Sequence, residues 1–150
     1  MESSADQEQP HFRITSILRI EHRLLRELMQ AMERALLAKL PVAALRERAT
    51  MLEVALDTHA TREEEQLFTQ MRTRSERAEH LVETMEIVHG EVRDLFEQVQ
   101  NDADPPRDLW TILELTAAHF DREEKEVFPL AEELLETAEL MRLVTPSPGK

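Results

Sequence analysis

The chain contains no cysteine and no tyrosine, and only two of its 150 residues are glycine. The missing cysteine excludes a disulfide framework, a thiolate metal site, a cysteine-bound iron–sulfur cluster and a cysteine nucleophile. The missing tyrosine excludes a phenolate ligand and a tyrosyl radical. Trp110 is then the one strongly oxidisable aromatic, and core packing is its expected job. Few glycines beside abundant Ala, Leu, Glu and Arg leave little material for hairpins and give the composition of long helices. No run of about 18 uncharged apolar residues exists, so no segment reads as a membrane span. The opening MESSADQEQP is acidic and polar, unlike a signal peptide. A cytoplasmic protein that does not engage membranes is expected. An excess of basic residues is also missing. With 31 Asp plus Glu against 18 Lys plus Arg, the net charge of −13 argues against a nucleic-acid partner. The best basic cluster, Arg19, Arg23 and Arg26, is interleaved with acids.

What the chain does have is one phrase written twice. HATREEEQLF occupies residues 59–68 and HFDREEKEVFP occupies residues 119–129. In each, a histidine precedes a glutamate by four positions. On an α-helix that spacing advances about 6 Å and turns about 40° past a full turn, so His59 and Glu63 share a face, as do His119 and Glu123. An imidazole nitrogen and a carboxylate oxygen one turn apart form a two-toothed clasp for a metal ion.

At 41% hydrophobic residues, the length suits a single domain with one core. Residues 1–13 lack apolar periodicity and are expected to form an arm, residues 14–143 a helical bundle, and residues 144–150 a tail. Thr15 or Ser16 is placed to cap a first helix with Leu18, Leu25, Met29, Met32 and Leu36 on its inner stripe, where His22 takes a core position. Pro41 ends this helix and can open the next, whose stripe reads Leu45, Ala49, Leu52, Leu56, His59, Glu63 and Leu67. After a lapse at 72–75, a third stripe carries Ala78, Val82, Met85, His89, Val92, Phe96 and Val99. NDADPP marks the clearest break. A fourth stripe follows with Leu109, Ile112, Thr116, His119, Glu123 and Val127, and Pro129 should kink or end it. Beyond Pro129, AEELLETAELMRLV is helical again by pattern, as a kinked continuation or as a short fifth helix. The fold class is all-α, an antiparallel up-down-up-down four-helix bundle. The halves look like a repeat, with EHRLLRELM matching VHGEVRDLF around His22 and His89.

In an antiparallel pair, residues equally far from the intervening turn meet at one level. His22 and His59 are equidistant from a turn centred between Leu40 and Pro41. His89 and the midpoint of His59 and Glu63 are equidistant from Ser75, and His89 and His119 from Asp104. The sequence therefore predicts one buried layer of His22, His59, Glu63, His89, His119 and Glu123. Buried carboxylates cost several kcal/mol each unless paired or metal-bound. Six ligands suit two metal ions bridged by Glu63 and Glu123, with positions left open. Imidazole with carboxylate suits iron, manganese or zinc, and an open bridged pair favours iron or manganese over a closed zinc site. Glu64, Glu65, Glu124 and Glu126 are assigned to solvated helix faces, and His11 and His80 to the surface.

His22, then His59-x-x-x-Glu63, then His89, then His119-x-x-x-Glu123 resembles the hemerythrin-like, or HHE cation-binding, family over about residues 12 to 130. The EE-x-x-x-F-P ending at 123–129 is similar too. The resemblance implies a non-haem di-iron centre with an oxo or hydroxo bridge and two bridging carboxylates, reacting with O2, peroxide or nitric oxide. By motif match the six residues named above are its ligands, iron ahead of manganese or zinc. The chain departs from the oxygen-carrying hemerythrins. Met85 and Arg93 stand one turn either side of His89, where those proteins carry a fifth ligand histidine; either solvent or Glu86 takes that place. The last carboxylate is a glutamate four residues on rather than an aspartate five on, Thr69 replaces the proline that Pro129 supplies in the second copy, and the cysteine-bearing extension of the iron–sulfur repair relatives is absent.

The expected function is a di-iron protein that binds or reacts with O2 or peroxide. Catalase- or peroxidase-like turnover and plain oxygen binding both fit. An iron-handling, storage or O2/NO-sensing module without turnover is the alternative.

Overall fold

The computed structural model describes residues 12–144. Most of the expected arm, most of the tail, and His11 lie outside the described residues. Every regular element among the described residues is helical: α1 Ile14–Leu37, α2 Val42–Arg62, a π-helical turn π1 Glu63–Phe68, α3 Thr69–Met71, α4 Glu76–Asn101, α5 Pro105–Arg122, a second π turn π2 Glu123–Val127, α6 Phe128–Leu134 and α7 Thr137–Arg142. The backbone stays helical from α2 through π1 into α3, and from α5 through π2 into α6. Four long rods result. α1 packs on α2 and α5, α2 on α4 and α5, and α4 most extensively on α5.

The breaks follow local chemistry. Lys39 adopts a left-handed φ of 53° after α1, and Pro41 stands before α2, where a missing N–H costs nothing. Ser75 caps α4 by accepting from the Ala78 amide, and Asp104 caps α5 by accepting from the Arg107 amide, with Pro105 opening that helix. One expectation is corrected, and of the alternatives at Pro129 one is selected. α1 starts at Ile14 with Arg13 before it and no side-chain cap. Thr15, expected as a cap, is buried and donates its hydroxyl to Glu132 at 2.7 Å: a tertiary partner replaces the local one. Pro129 does not end the fourth rod. It occupies the first turn of α6, directly after π2, and the helix continues to Leu134. The first turn is where a helix tolerates a residue without an amide hydrogen.

The apolar core is divided into two lobes. One gathers Ile14, Leu18, Leu67, Phe68, Met85, Val127 and Phe128 with their neighbours. The other gathers Leu25, Met29, Leu52, Phe96, Ile112 and Phe120, with Trp110 packed at its edge. The break in every rod falls where a histidine or glutamate takes the core position, so a buried polar layer separates the lobes.

Candidate metal centre

His22 comes from α1, His59 from the end of α2, Glu63 from the first residue of π1, His89 from the middle of α4, His119 from the end of α5 and Glu123 from the first residue of π2. All six are buried, with His22, Glu63 and Glu123 at 0% exposure. Their ligand-type atoms form two overlapping groups, His22, His59, Glu63, Glu123 and Glu63, His89, His119, Glu123, each with those atoms within 4.8 Å of one another. Both glutamates belong to both groups. In each copy of the repeated phrase the helix widens from α to π at the glutamate, a local irregularity that recurs at functional sites.

The atoms inside the layer face one another, and several of them lack a hydrogen-bond partner. The Nε2 of His22 lies 3.0 Å from Glu123 Oε1 and 3.8 Å from Glu63 Oε2. His59 Nε2 is 3.3 Å from Glu63 Oε2, His89 Nε2 is 3.2 Å from Glu63 Oε1, and His119 Nε2 is 3.3 Å from Glu123 Oε2. His59 Nε2, both Glu63 oxygens and Glu123 Oε2 make no hydrogen bond although they are buried. Orphaned donors of electron pairs, converging in a dry interior, are what a cation would satisfy.

Behind three of the imidazoles stands a carboxylate. Glu124 accepts from His22 Nδ1 at 2.6 Å, Glu21 from His59 Nδ1 at 2.7 Å and Glu64 from His89 Nδ1 at 2.7 Å. Each carboxylate is held in turn by an arginine: Arg26 on Glu124 at 2.6 Å, Arg62 on Glu21 at 2.9 Å and Arg93 on Glu64 at 3.3 Å. An ionised carboxylate only accepts, so each Nδ1 carries the proton and each Nε2, in the neutral ring, turns its lone pair into the layer. This corrects the assignment of Glu64 and Glu124 to solvated faces. Glu21 was not picked out by sequence reasoning at all. The available signal was adjacency, since each of the three is the chain neighbour of a core-register histidine or glutamate.

Burial pulls His22, His59 and His89 toward the neutral form, but the carboxylates around them win. Glu63, with Glu21, raises His59 to about 10. Contacts with Glu123 and Glu63 raise His22, and Glu63 raises His89. Burial alone would push Glu63 up, yet the charge of His59 and the imidazoles of His22, His59 and His89 hold it well below the usual carboxylate range. Without a cation the layer balances its carboxylates with protons, and a metal ion would displace them.

The model of the hemerythrin HHE cation binding domain matches residues 13–131. The chain belongs to this family. No curated protein and no solved structure gives a significant match. The buried His/Glu cluster is compatible with the cation centre for which the hemerythrin HHE domain is described.

Against that family frame, the region around His89 is distinctive. Glu86, considered as an extra ligand, is turned away from the layer and accepts from Arg72 at 2.7 Å. Met85 is buried in the first apolar lobe. Arg93 bridges Asp57 at 2.7 Å and Glu64. His80 is exposed. Beside His59, His89 and His119 lies a cavity of about 40 Å³, walled by Leu56, Ala60, Val88, Val92, Phe96, Thr116 and Phe120, with Glu53, Asp57 and Arg93 also on its lining. Its volume exceeds what one water needs, roughly 10–15 Å³.

Proposed function

We propose that this hemerythrin-family chain holds two iron ions, bridged by Glu63 and Glu123, and binds or reacts with O2 or peroxide beside them. The observation that carries the reading is that two four-residue ligand groups share both buried glutamates. His22 and His59 would hold one ion, His89 and His119 the other. When bound, an iron pair supplies two adjacent redox centres that share the electron demand of O2 or peroxide. The chain's own part is to fix the imidazoles through Glu21, Glu64 and Glu124, surround the layer with two apolar lobes, and offer a largely apolar cavity beside it.

In this reading the rods run antiparallel, up-down-up-down. Support comes from the short connections between them and from the meeting of four histidines, one per rod, at one level. Thr116 supplies the one hydroxyl among the residues lining the cavity, and Glu53 and Asp57 supply its carboxylates, so both ligand binding and peroxide turnover fit the site.

The test is anaerobic reconstitution with ferrous iron, a metal count, and absorbance spectra after O2 and then peroxide. Two irons per chain and a new visible band with O2 are expected. Sustained O2 release from peroxide would move the assignment from binding to catalysis, and less than one iron per chain would overturn the two-ion site.

A further inference from the structure

The two halves of the chain repeat the support of the layer as well as the layer itself, with one exception. Aligning 21–28 with 88–95 and 59–68 with 119–128 pairs Arg26 with Arg93, Glu64 with Glu124, Arg62 with Arg122, and Glu21 with Val88. The structure obeys the pairing three times. His22 is backed by Glu124 and Arg26, and its counterpart His89 by Glu64 and Arg93. His59 is backed by Glu21 and Arg62. Its counterpart His119 has no hydrogen-bond partner on Nδ1, although that atom is buried. The residue that would back it is Val88, and Arg122, left without a carboxylate there, turns its Nε to Glu126 at 2.9 Å. Val88 and His119 instead form part of the wall of the apolar cavity.

A carboxylate behind a ligand imidazole fixes its tautomer and orientation and raises its basicity; losing such a partner typically costs about 10–100-fold in metal affinity. Resting on the two-ion reading above, we infer that the two metal positions are unequal: the His89/His119 position holds its ion more loosely, because an apolar Val88 stands where the other half has a carboxylate. Both histidines of the looser position line the cavity, whereas only His59 of the other position does. A small uncharged ligand would therefore meet the ion whose surroundings are less rigidly held. His22, enclosed at 0% exposure and stacked on Phe120 at 3.9 Å, marks the other position as the anchored one.

The full chain is loaded with ferrous iron without oxygen, the bound ions are counted, and their withdrawal by excess chelator is followed in time. The wild-type protein should release two ions in two phases. Val88→Glu should slow the faster phase about tenfold or more and leave the slower one in place. Glu21→Val, which copies Val88 into the other half at a partly exposed position, should accelerate the slower phase by about 10–100-fold until the two merge. Two bound ions leaving the wild-type protein at one rate would overturn the inference, as would a folded, two-ion Glu21→Val protein with unchanged release. Binding of a single ion would instead overturn the two-ion reading beneath it.

Discussion

The Nε2 atoms of His89 and His119 face each other at 3.0 Å across two rods. Glu64 holds the Nδ1 proton of His89, so at least one of the two facing nitrogens presents a lone pair when the ring is neutral. Lone pairs brought this close are mutually repulsive in a dry interior unless a proton or a cation lies between them. The same opposition recurs between His22 Nε2 and Glu123 Oε1 at 3.0 Å.

Because Glu63 and Glu123 each belong to both ligand groups, neither can be removed without touching both positions. Glu63→Ala and Glu123→Ala should each lower the iron count from two to one or fewer per chain. Glu65→Ala, on the exposed face of the same π turn, should leave the count unchanged. Inductively coupled plasma analysis of the reconstituted proteins checks this, and equal losses in all three would show that the bridge is misassigned.

Glu124 makes a sharper case, since its carboxylate meets both His22 and Arg26. Burial pushes its pKa up, but His22 and Arg26 outweigh burial and hold it below the ordinary value. Glu124→Ala should weaken metal binding by about 10–100-fold without changing the number of ions bound at saturation. Competition with a chelator of known strength measures the change; an unaltered affinity would return Glu124 to the role of a surface acid.

The six residues of the layer were legible in the sequence because they interrupt apolar stripes: His22 sits between Leu18 and Leu25, and Glu63 between His59 and Leu67. A helix repeats its core positions so regularly that a polar residue in register must point inward. The supporting carboxylates were not legible by that rule. Glu64 and Glu124 lie one step off the stripe, among acids and arginines that look like a solvated face, and only the neighbouring rod shows what they touch. The π turns were invisible for a different reason. His-x-x-x-Glu places both residues on one side in either helix type, so the apolar pattern does not distinguish them. Thr15 fits both a cap and a partner for Glu132, and only the packed fourth rod decides between them.

Glu132 ties the start of α1 to α6 and carries a pH dependence away from the centre. It accepts from Thr15 at 2.7 Å and from Arg19 at 2.8 Å. Burial would raise its pKa, but Arg19 and Thr15 hold it below the ordinary value of 4.5. A carboxylate depressed on folding contributes stability above its unfolded pKa and loses it as pH falls through the folded one. Glu132→Gln should therefore be less stable than wild type at pH 6, and the difference should close as pH falls below the ordinary value of 4.5 and through the lowered one of the folded state. Urea unfolding at several pH values follows it; a gap that widens in acid would contradict the assigned sign.

Occupancy of the layer should also appear as stability. The buried carboxylates and imidazoles separate two apolar lobes, and a cation bound only by the folded chain adds about 2.7 kcal/mol when free metal is a hundredfold above Kd. For a chain of this size that raises Tm by on the order of 5–10 °C. Thermal unfolding with and without chelator gives the difference. No shift on iron addition, with binding verified by metal count, would mean that the unfolded chain binds iron as well as the folded one.

The cavity beside His89 and His119 has room to be blocked without disturbing a ligand. Val92 lines it, is only partly buried, and makes its contact on the side of α4 that faces the second lobe. Val92→Phe adds a ring to a space of about 40 Å³, so the cavity should close while the two ligand groups keep their positions. The ferrous protein should still bind two ions, but association of nitric oxide or O2, followed by stopped-flow absorbance, should slow by about tenfold, the factor that corresponds to roughly 1.4 kcal/mol of added barrier. If the association rate were unchanged with the iron count intact, the ligand would be entering by another route, and the apolar wall that includes Val88 would have no part in access.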